Sequence, residues 1–147
     1  MDLNSLYSEI INEHNLSNHN KHHIEDADLV ERGHNPSCGD EINLELKIKD
    51  GKIEDGGYTG VGCAISQAST SIMIDLMRGK TIEEATALLE TFLAMIKREI
   101  TDEAQLEVLE DALALQNISN MPARVKCGVL PWHTLDVALK SKNKAAT

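Results

Sequence analysis

Aromatic side chains are nearly missing from this sequence. One Trp, one Phe and two Tyr leave the core to aliphatic residues. Basic residues are outnumbered, with 14 Lys and Arg against 24 Asp and Glu and a formal net charge of −10. A chain this acidic lacks the footprint that neutralises phosphates. That argues against a nucleic-acid binder and favours a partner with a basic face. No apolar run reaches the roughly 20 residues of a membrane-spanning helix. The opening residues, Met1-Asp2-Leu3-Asn4-Ser5, have neither the basic nor the apolar region of a signal peptide, so a cytoplasmic location is expected. Cysteine is scarce as well. Three cysteines cannot all pair in disulfides, and in a reducing compartment metal binding or thiol chemistry is the better expectation.

What is present fits a single domain, 1–147, with its own core. Leu3, Leu6, Tyr7, Ile10 and Ile11 recur at helical spacing. The pattern ends after Asn15, and 18–34 reads as a polar loop holding His19, His22, His23 and His34. Such a tract binds metal or is simply a solvated loop. From Glu41 the period becomes two: Ile42, Leu44, Leu46 and Ile48 alternate with polar residues, as in a half-buried strand. Asp50-Gly51 signals a hairpin, and Lys52-Ile53-Glu54-Asp55 begins the return strand. The glycines at 56, 57, 60 and 62 mark close backbone approach ahead of Cys63. Neither strand has the continuous apolar run of a buried parallel sheet, so an antiparallel meander is expected.

Cys63 opens a second helix that ends at Arg78-Gly79-Lys80. Thr81 and Glu84 make a capping box for a third. An acidic segment follows with Leu106, Leu109 and Leu113 at helical spacing, broken between Asn117 and Asn120. A last helix is expected near Gly128, with Pro131 in its first turn. The basic tail 140–147 is expected to fray.

Zinc prefers four tetrahedral ligands drawn from Cys, His and carboxylates. Cys38 and Asp40 lie at the entry to the first strand and Cys63 at the exit of the hairpin, so the hairpin brings these ends together. Cys127 must arrive from across the domain. Cys63 and Cys127 are placed at helix starts, where the dipole and free amides favour thiolate. Spacing leaves two arrangements open: one metal centre made of Cys38, Asp40, Cys63 and Cys127, or three buried and inert cysteines. A purely structural zinc is disfavoured because the chain is long enough to fold on its core.

Four motifs carry a resemblance: Asn35-Pro36-Ser37-Cys38-Gly39-Asp40; Gly60-Val61-Gly62-Cys63-Ala64-Ile65-Ser66-Gln67-Ala68-Ser69; Gly79-Lys80; and Arg124-Val125-Lys126-Cys127. They are similar to those of the U-type iron–sulfur cluster assembly proteins, the IscU and NifU N-terminal-like family. The match runs from Leu6-Tyr7 to the final helix. It implies an α+β fold, with a small antiparallel sheet of about three strands packed against five to six helices. It also implies a site made of Cys38, Asp40, Cys63 and Cys127. The IscU branch builds a cluster on its ligands and has a histidine before its third cysteine, where this chain has Lys126. The acidic segment 101–120 resembles the helical insertion of the SufU branch, as does the run from Arg124 to Cys127.

The SufU resemblance implies a zinc-dependent sulfurtransferase that accepts persulfide sulfur from a SufS-type cysteine desulfurase and serves SufBCD-type assembly machinery. A desulfurase histidine would replace Cys38 on zinc, and the freed Cys38 thiolate would attack the terminal sulfur of the persulfide. Asp40 is then the hard, weakly held ligand. Arg124 and Lys126 flank the site; Arg124 either favours the thiolates or makes an ordinary surface ion pair. Two other readings stand beside this one: an iron–sulfur cluster scaffold using the same ligands, and a zinc protein that only regulates the desulfurase. One departure is the stretch 18–23, which replaces the Asn-Pro-Arg-like run usual in the family.

Overall fold

The computed structural model describes residues 3–36 and 39–146. The elements run α1 (Leu3–Ser17), β1 (Leu29–Asn35), β2 (Asp40–Lys49), β3 (Lys52–Val61), α2 (Ala64–Met77), α3 (Ile82–Ile96), α4 (Glu103–Leu106), a 3₁₀ segment (Glu107–Asn120) and α5 (Pro122–Ala146). The strands form one antiparallel sheet in the order β1-β2-β3. Three strands and five α-helices match the expected architecture.

The alternation read in β2 is real. Ile42, Leu44 and Leu46 are buried on the face covered by helices, each stabilising the fold by about 1.5–3 kcal/mol. Asp50 and Gly51 both take positive φ, as a type I′ hairpin turn requires. The other face of β2 presents Glu45, which is also buried. Its carboxylate accepts from His23 Nδ1 at 2.8 Å and from the Ile24 amide at 3.3 Å. The loop after α1 is thereby drawn across the back of the sheet. The Tyr58 amide donates to the Asn20 carbonyl at 2.9 Å, and the approach is so close that a Cβ on Gly57 would lie 2.4 Å from the His22 carbonyl oxygen.

The centre of the molecule is α2. From Ser66 on, almost every residue except Gln67 and Asp75 is buried, because β3, α1, α5 and the 3₁₀ segment all pack against it. Serine and alanine let these neighbours come close, and the serines bond them. Buried Ser69 donates to the Gly128 carbonyl at 2.6 Å and accepts from Trp132 Nε1 at 2.9 Å. Trp132 stacks on Phe92, with ring centroids 3.7 Å apart. The Thr81–Glu84 capping box of α3 is formed in both directions.

Four expectations need correction. The stretch 18–34 is a loop only to residue 28, after which Leu29–Asn35 is strand β1. The insertion 101–120 is helical but not one α-helix. Its first turn is capped by Asp102, and it then tightens to 3₁₀ with a break at Glu110, where φ is 50° and ψ is −125°. The last helix starts at Pro122, not near Gly128, because a proline suits the first helical position. Residues 140–146 continue α5 instead of fraying. Buried Ala138 and Leu139 anchor that turn, and the lysines and alanines beyond are good helix formers.

Candidate metal centre

Asp40 opens β2 directly opposite Asn35, and Glu41 pairs with Val61 at the far end of β3. The hairpin therefore returns Cys63 to the side of Asp40. Cys63 is the N-cap of α2, and its sulfur accepts from the Ser66 amide at 3.5 Å. Its own amide donates to Asp40 Oδ1 at 2.9 Å. Asp40 is 1% exposed. Gly62 is glycine for a local reason: a Cβ there would lie 2.9 Å from Asp40 Oδ1 and 2.4 Å from Ser66 Oγ. Burial and the Cys63 amide hold the Asp40 side chain in place.

Cys127 comes from the other side. It lies in the second turn of α5, so the helix-start argument made for it does not hold. What brings it in is the docking of α5 on α2 through Ser69. Pro131 has no N–H to donate to the Cys127 carbonyl four residues earlier, so the interruption of the α5 ladder falls on the residue that carries this sulfur.

Ligand atoms of Asp40, Cys63 and Cys127 all lie within 4.8 Å of one another. The Cys63 sulfur is 3.9 Å from Asp40 Oδ2. Tetrahedral zinc with ordinary Zn–S and Zn–O bonds needs donors about 3.5–3.8 Å apart. Three of the four sequence-predicted ligands therefore stand within a few tenths of an ångström to an ångström of a zinc-binding geometry, and two sulfurs with one carboxylate suit that metal. Cys38, with Ser37, lies outside the described residues.

Burial pushes the Cys63 thiol up. The Ser66 amide, the Cys127 thiol and the Ser66 hydroxyl outweigh it by hydrogen bonding to the sulfur, and the pKa ends below its ordinary value, with the Asp40 carboxylate working against them. Ser66 was not singled out from the sequence, although a polar residue three positions after a helix cap is the signal that would have found it. Arg124 and Lys126 are exposed on the first turns of α5. Arg124 stands one helical turn before Cys127.

Residues 6–128 match the sequence profile of the NifU-like N-terminal domain. The chain is 42% identical over 135 residues to the iron–sulfur cluster assembly scaffold protein IscU of Thermotoga maritima, covering 92% of this chain and 93% of that protein. It is 38% identical over 136 residues to the zinc-dependent sulfurtransferase SufU of Bacillus subtilis, covering 92% and 90%. Among solved structures, an iron–sulfur cluster assembly scaffold protein for the SUF system from Fervidobacterium islandicum superposes with a TM-score of 0.84 at 40% identity, over 94% of this chain and 99% of that one.

Proposed function

We infer the function of this chain from the premise that it belongs to the NifU-like N-terminal domain family. Its relatives of IscU and SufU type place it in iron–sulfur cluster assembly. Within that work, we propose that it is a zinc-dependent sulfurtransferase, with Cys38, Asp40, Cys63 and Cys127 as ligands and Cys38 as the sulfur acceptor. The observation that carries this reading is the convergence of Asp40, Cys63 and Cys127 within 4.8 Å. Lys126 supports it, standing where the scaffold branch has a histidine.

Bound zinc would keep the cysteine sulfurs as thiolates at neutral pH. The rest is done by the chain. Asp40 and Cys63 are locked to each other by the Cys63 amide, and the Ser66 amide holds the Cys63 sulfur. Cys38, two residues from Asp40, is the nucleophile. Its thiolate attacks the terminal sulfur of a persulfide on a cysteine desulfurase. A new S–S bond forms on Cys38, the S–S bond on the desulfurase breaks, and the desulfurase cysteine leaves as thiolate. No net oxidation or reduction occurs.

A second reading, cluster assembly on the same ligands, is favoured by the likeness to the Thermotoga scaffold protein. One experiment separates them. The chain is purified without air, its metal is measured, and it is mixed with a cysteine desulfurase and cysteine. Stoichiometric zinc, with mass spectrometry placing the added sulfur on Cys38, is expected. An oxygen-labile cluster with no zinc would overturn the sulfurtransferase reading. Sulfur found only on Cys63 or Cys127 would remove Cys38 from its role.

A further inference from the structure

A second group of ligand-type side chains lies at the other end of α2. Twelve residues separate Cys63 from Asp75, about 18 Å along a helix. Here His14 of α1, His19 of the following loop and Asp75 of α2 place their ligand atoms within 4.8 Å of one another. His19 Nε2 is 3.1 and 3.0 Å from the two Asp75 oxygens, and His14 Nε2 is 3.9 Å from Asp75 Oδ2. We propose that His14, His19 and Asp75 form a second site, for a divalent transition-metal ion, built without sulfur.

Both histidines are set up in the same way. His14 Nδ1 bonds the Ser71 hydroxyl at 2.8 Å, and His19 Nδ1 bonds the Ser17 hydroxyl. In each ring the other nitrogen, Nε2, faces the carboxylate. This is how proteins orient metal-binding imidazoles, with the far nitrogen held by a hydrogen-bonding partner. The carboxylate is divided too. Asp75 Oδ1 accepts from Arg78 and Asn20, both at 2.9 Å, and is also 3.1 Å from His19 Nε2, while Oδ2 faces both imidazoles. His14 is buried, and burial lowers its pKa, so it is neutral and able to ligate at neutral pH. A cavity of about 300 Å³ opens beside the group and brings Glu13 and Asp111 to its wall, adding negative charge that offsets Arg78.

Two imidazoles and one carboxylate are a donor set for Zn²⁺, Co²⁺, Ni²⁺ or Fe²⁺, with remaining positions left to water. The two histidine–Asp75 pairs, 3.0 and 3.9 Å apart, bracket the roughly 3.4 Å between donors that 2.0–2.1 Å bonds give in a tetrahedron. His22 and His23 do not join. His22 Nδ1 bonds the His23 carbonyl, and His23 Nδ1 pairs with Glu45. Each imidazole must present an unprotonated nitrogen to the ion, so binding competes with protons and weakens at acid pH.

The test uses the full chain loaded with one equivalent of Zn²⁺ and titrated with Co²⁺ at pH 7.5 and pH 5.5. We expect one further equivalent at pH 7.5, with a visible spectrum free of sulfur-to-cobalt charge transfer, and at least tenfold weaker binding at pH 5.5. His19→Ala, at a half-exposed position, should lose that equivalent and keep the zinc. Asp75→Asn should do the same, with circular dichroism confirming the fold of both. Absence of a second equivalent would overturn the proposal, as would retention of it by His19→Ala. A sulfur charge-transfer band would do so too, by placing the cobalt at the cysteines.

Discussion

Replacing Asp40 in two ways tests how the cysteine-rich centre is built, because the carboxylate does two separable things. Its Oδ1 accepts the Cys63 amide at 2.9 Å, and in the proposed centre the charged carboxylate supplies one oxygen donor to the metal. Asn keeps an acceptor and removes the charge; Ala removes both. In metal-free protein, Asp40→Ala leaves the Cys63 amide without this partner at a position where the side chain is 1% exposed. That costs about 1–3 kcal/mol, a melting temperature lower by roughly 5 °C for a chain of this size. Asp40→Asn should stay within about 1 kcal/mol of the parent, since burying an amide costs less than burying a charge. Zinc affinity should fall at least tenfold in both, about 1.4 kcal/mol or more. Because the Asp40 charge raises the Cys63 pKa, the Cys63 thiol of metal-free Asp40→Asn should titrate lower than in the parent. Urea unfolding of the metal-free proteins measures the first effect, chelator competition the second, and the pH dependence of alkylation the third. Equal losses of stability in Asn and Ala would refute the hydrogen-bond argument. Unchanged zinc affinity in Asp40→Asn would strike Asp40 from the ligands.

Three further outcomes follow from contacts described above. Ser69→Ala removes a hydroxyl that bonds both the Gly128 carbonyl and Trp132 Nε1; it should cost about 2–4 kcal/mol in urea unfolding and weaken zinc binding as α5 loosens, and a loss below 0.5 kcal/mol, roughly that of a neutral surface change, would show that the serine does not tie the helices. Gly57→Ala forces a Cβ against the His22 carbonyl; about 1–3 kcal/mol of destabilisation is expected, with faster amide exchange at Tyr58, and an unchanged exchange rate there would contradict the close packing of the loop. The third concerns His14, whose pKa is depressed from 6.5 in the fold by burial, with Asp75, Asp111 and Glu13 raising it and His19 lowering it. Its stabilising effect is full above the unfolded value and is lost as pH falls toward the folded pKa. Parent stability should therefore drop more than that of His14→Gln between pH 7.5 and 5.5, and parallel curves would show that His14 is not buried as a neutral ring.

Much of the fold was legible because its signals are local. The period-two run of β2, the Asp50-Gly51 turn, the Cys63 cap and the Thr81–Glu84 box each sit within a few residues. Strand β1 was not legible. Its residues Leu29-Val30-Glu31-Arg32-Gly33-His34-Asn35 are mostly polar, and only Gly33 and Asn35 are buried. It is a strand because β2 pairs with it and α5 packs on it, which are facts about distant residues. The same distinction divides the cysteine site. Asp40 and Cys63 meet through one hairpin and could be anticipated. Cys127 meets them through α5, whose start was misplaced, and its arrival was expected from the requirement for a fourth ligand and from resemblance, not from pattern. His14, His19 and Asp75 belong to a short stretch and a helix far apart in sequence. Nothing in their spacing announces that they touch.

The division of the cysteine site between hairpin and α5 also bears on the order in which the molecule assembles. Asp40 and Cys63 close a short loop that zips as β2 and β3 pair, an event of microseconds. Cys127 closes a much longer loop, which must wait for α3, the 3₁₀ segment and α5 to find α2. Loop closure costs more for the longer span, and long-range contacts form late. Half of the centre is therefore ready while the other half is still being folded, and a metal captured early by the hairpin would act as a clamp that retains α5 once it docks. Whatever loosens α5 releases the third donor first and leaves the hairpin half intact.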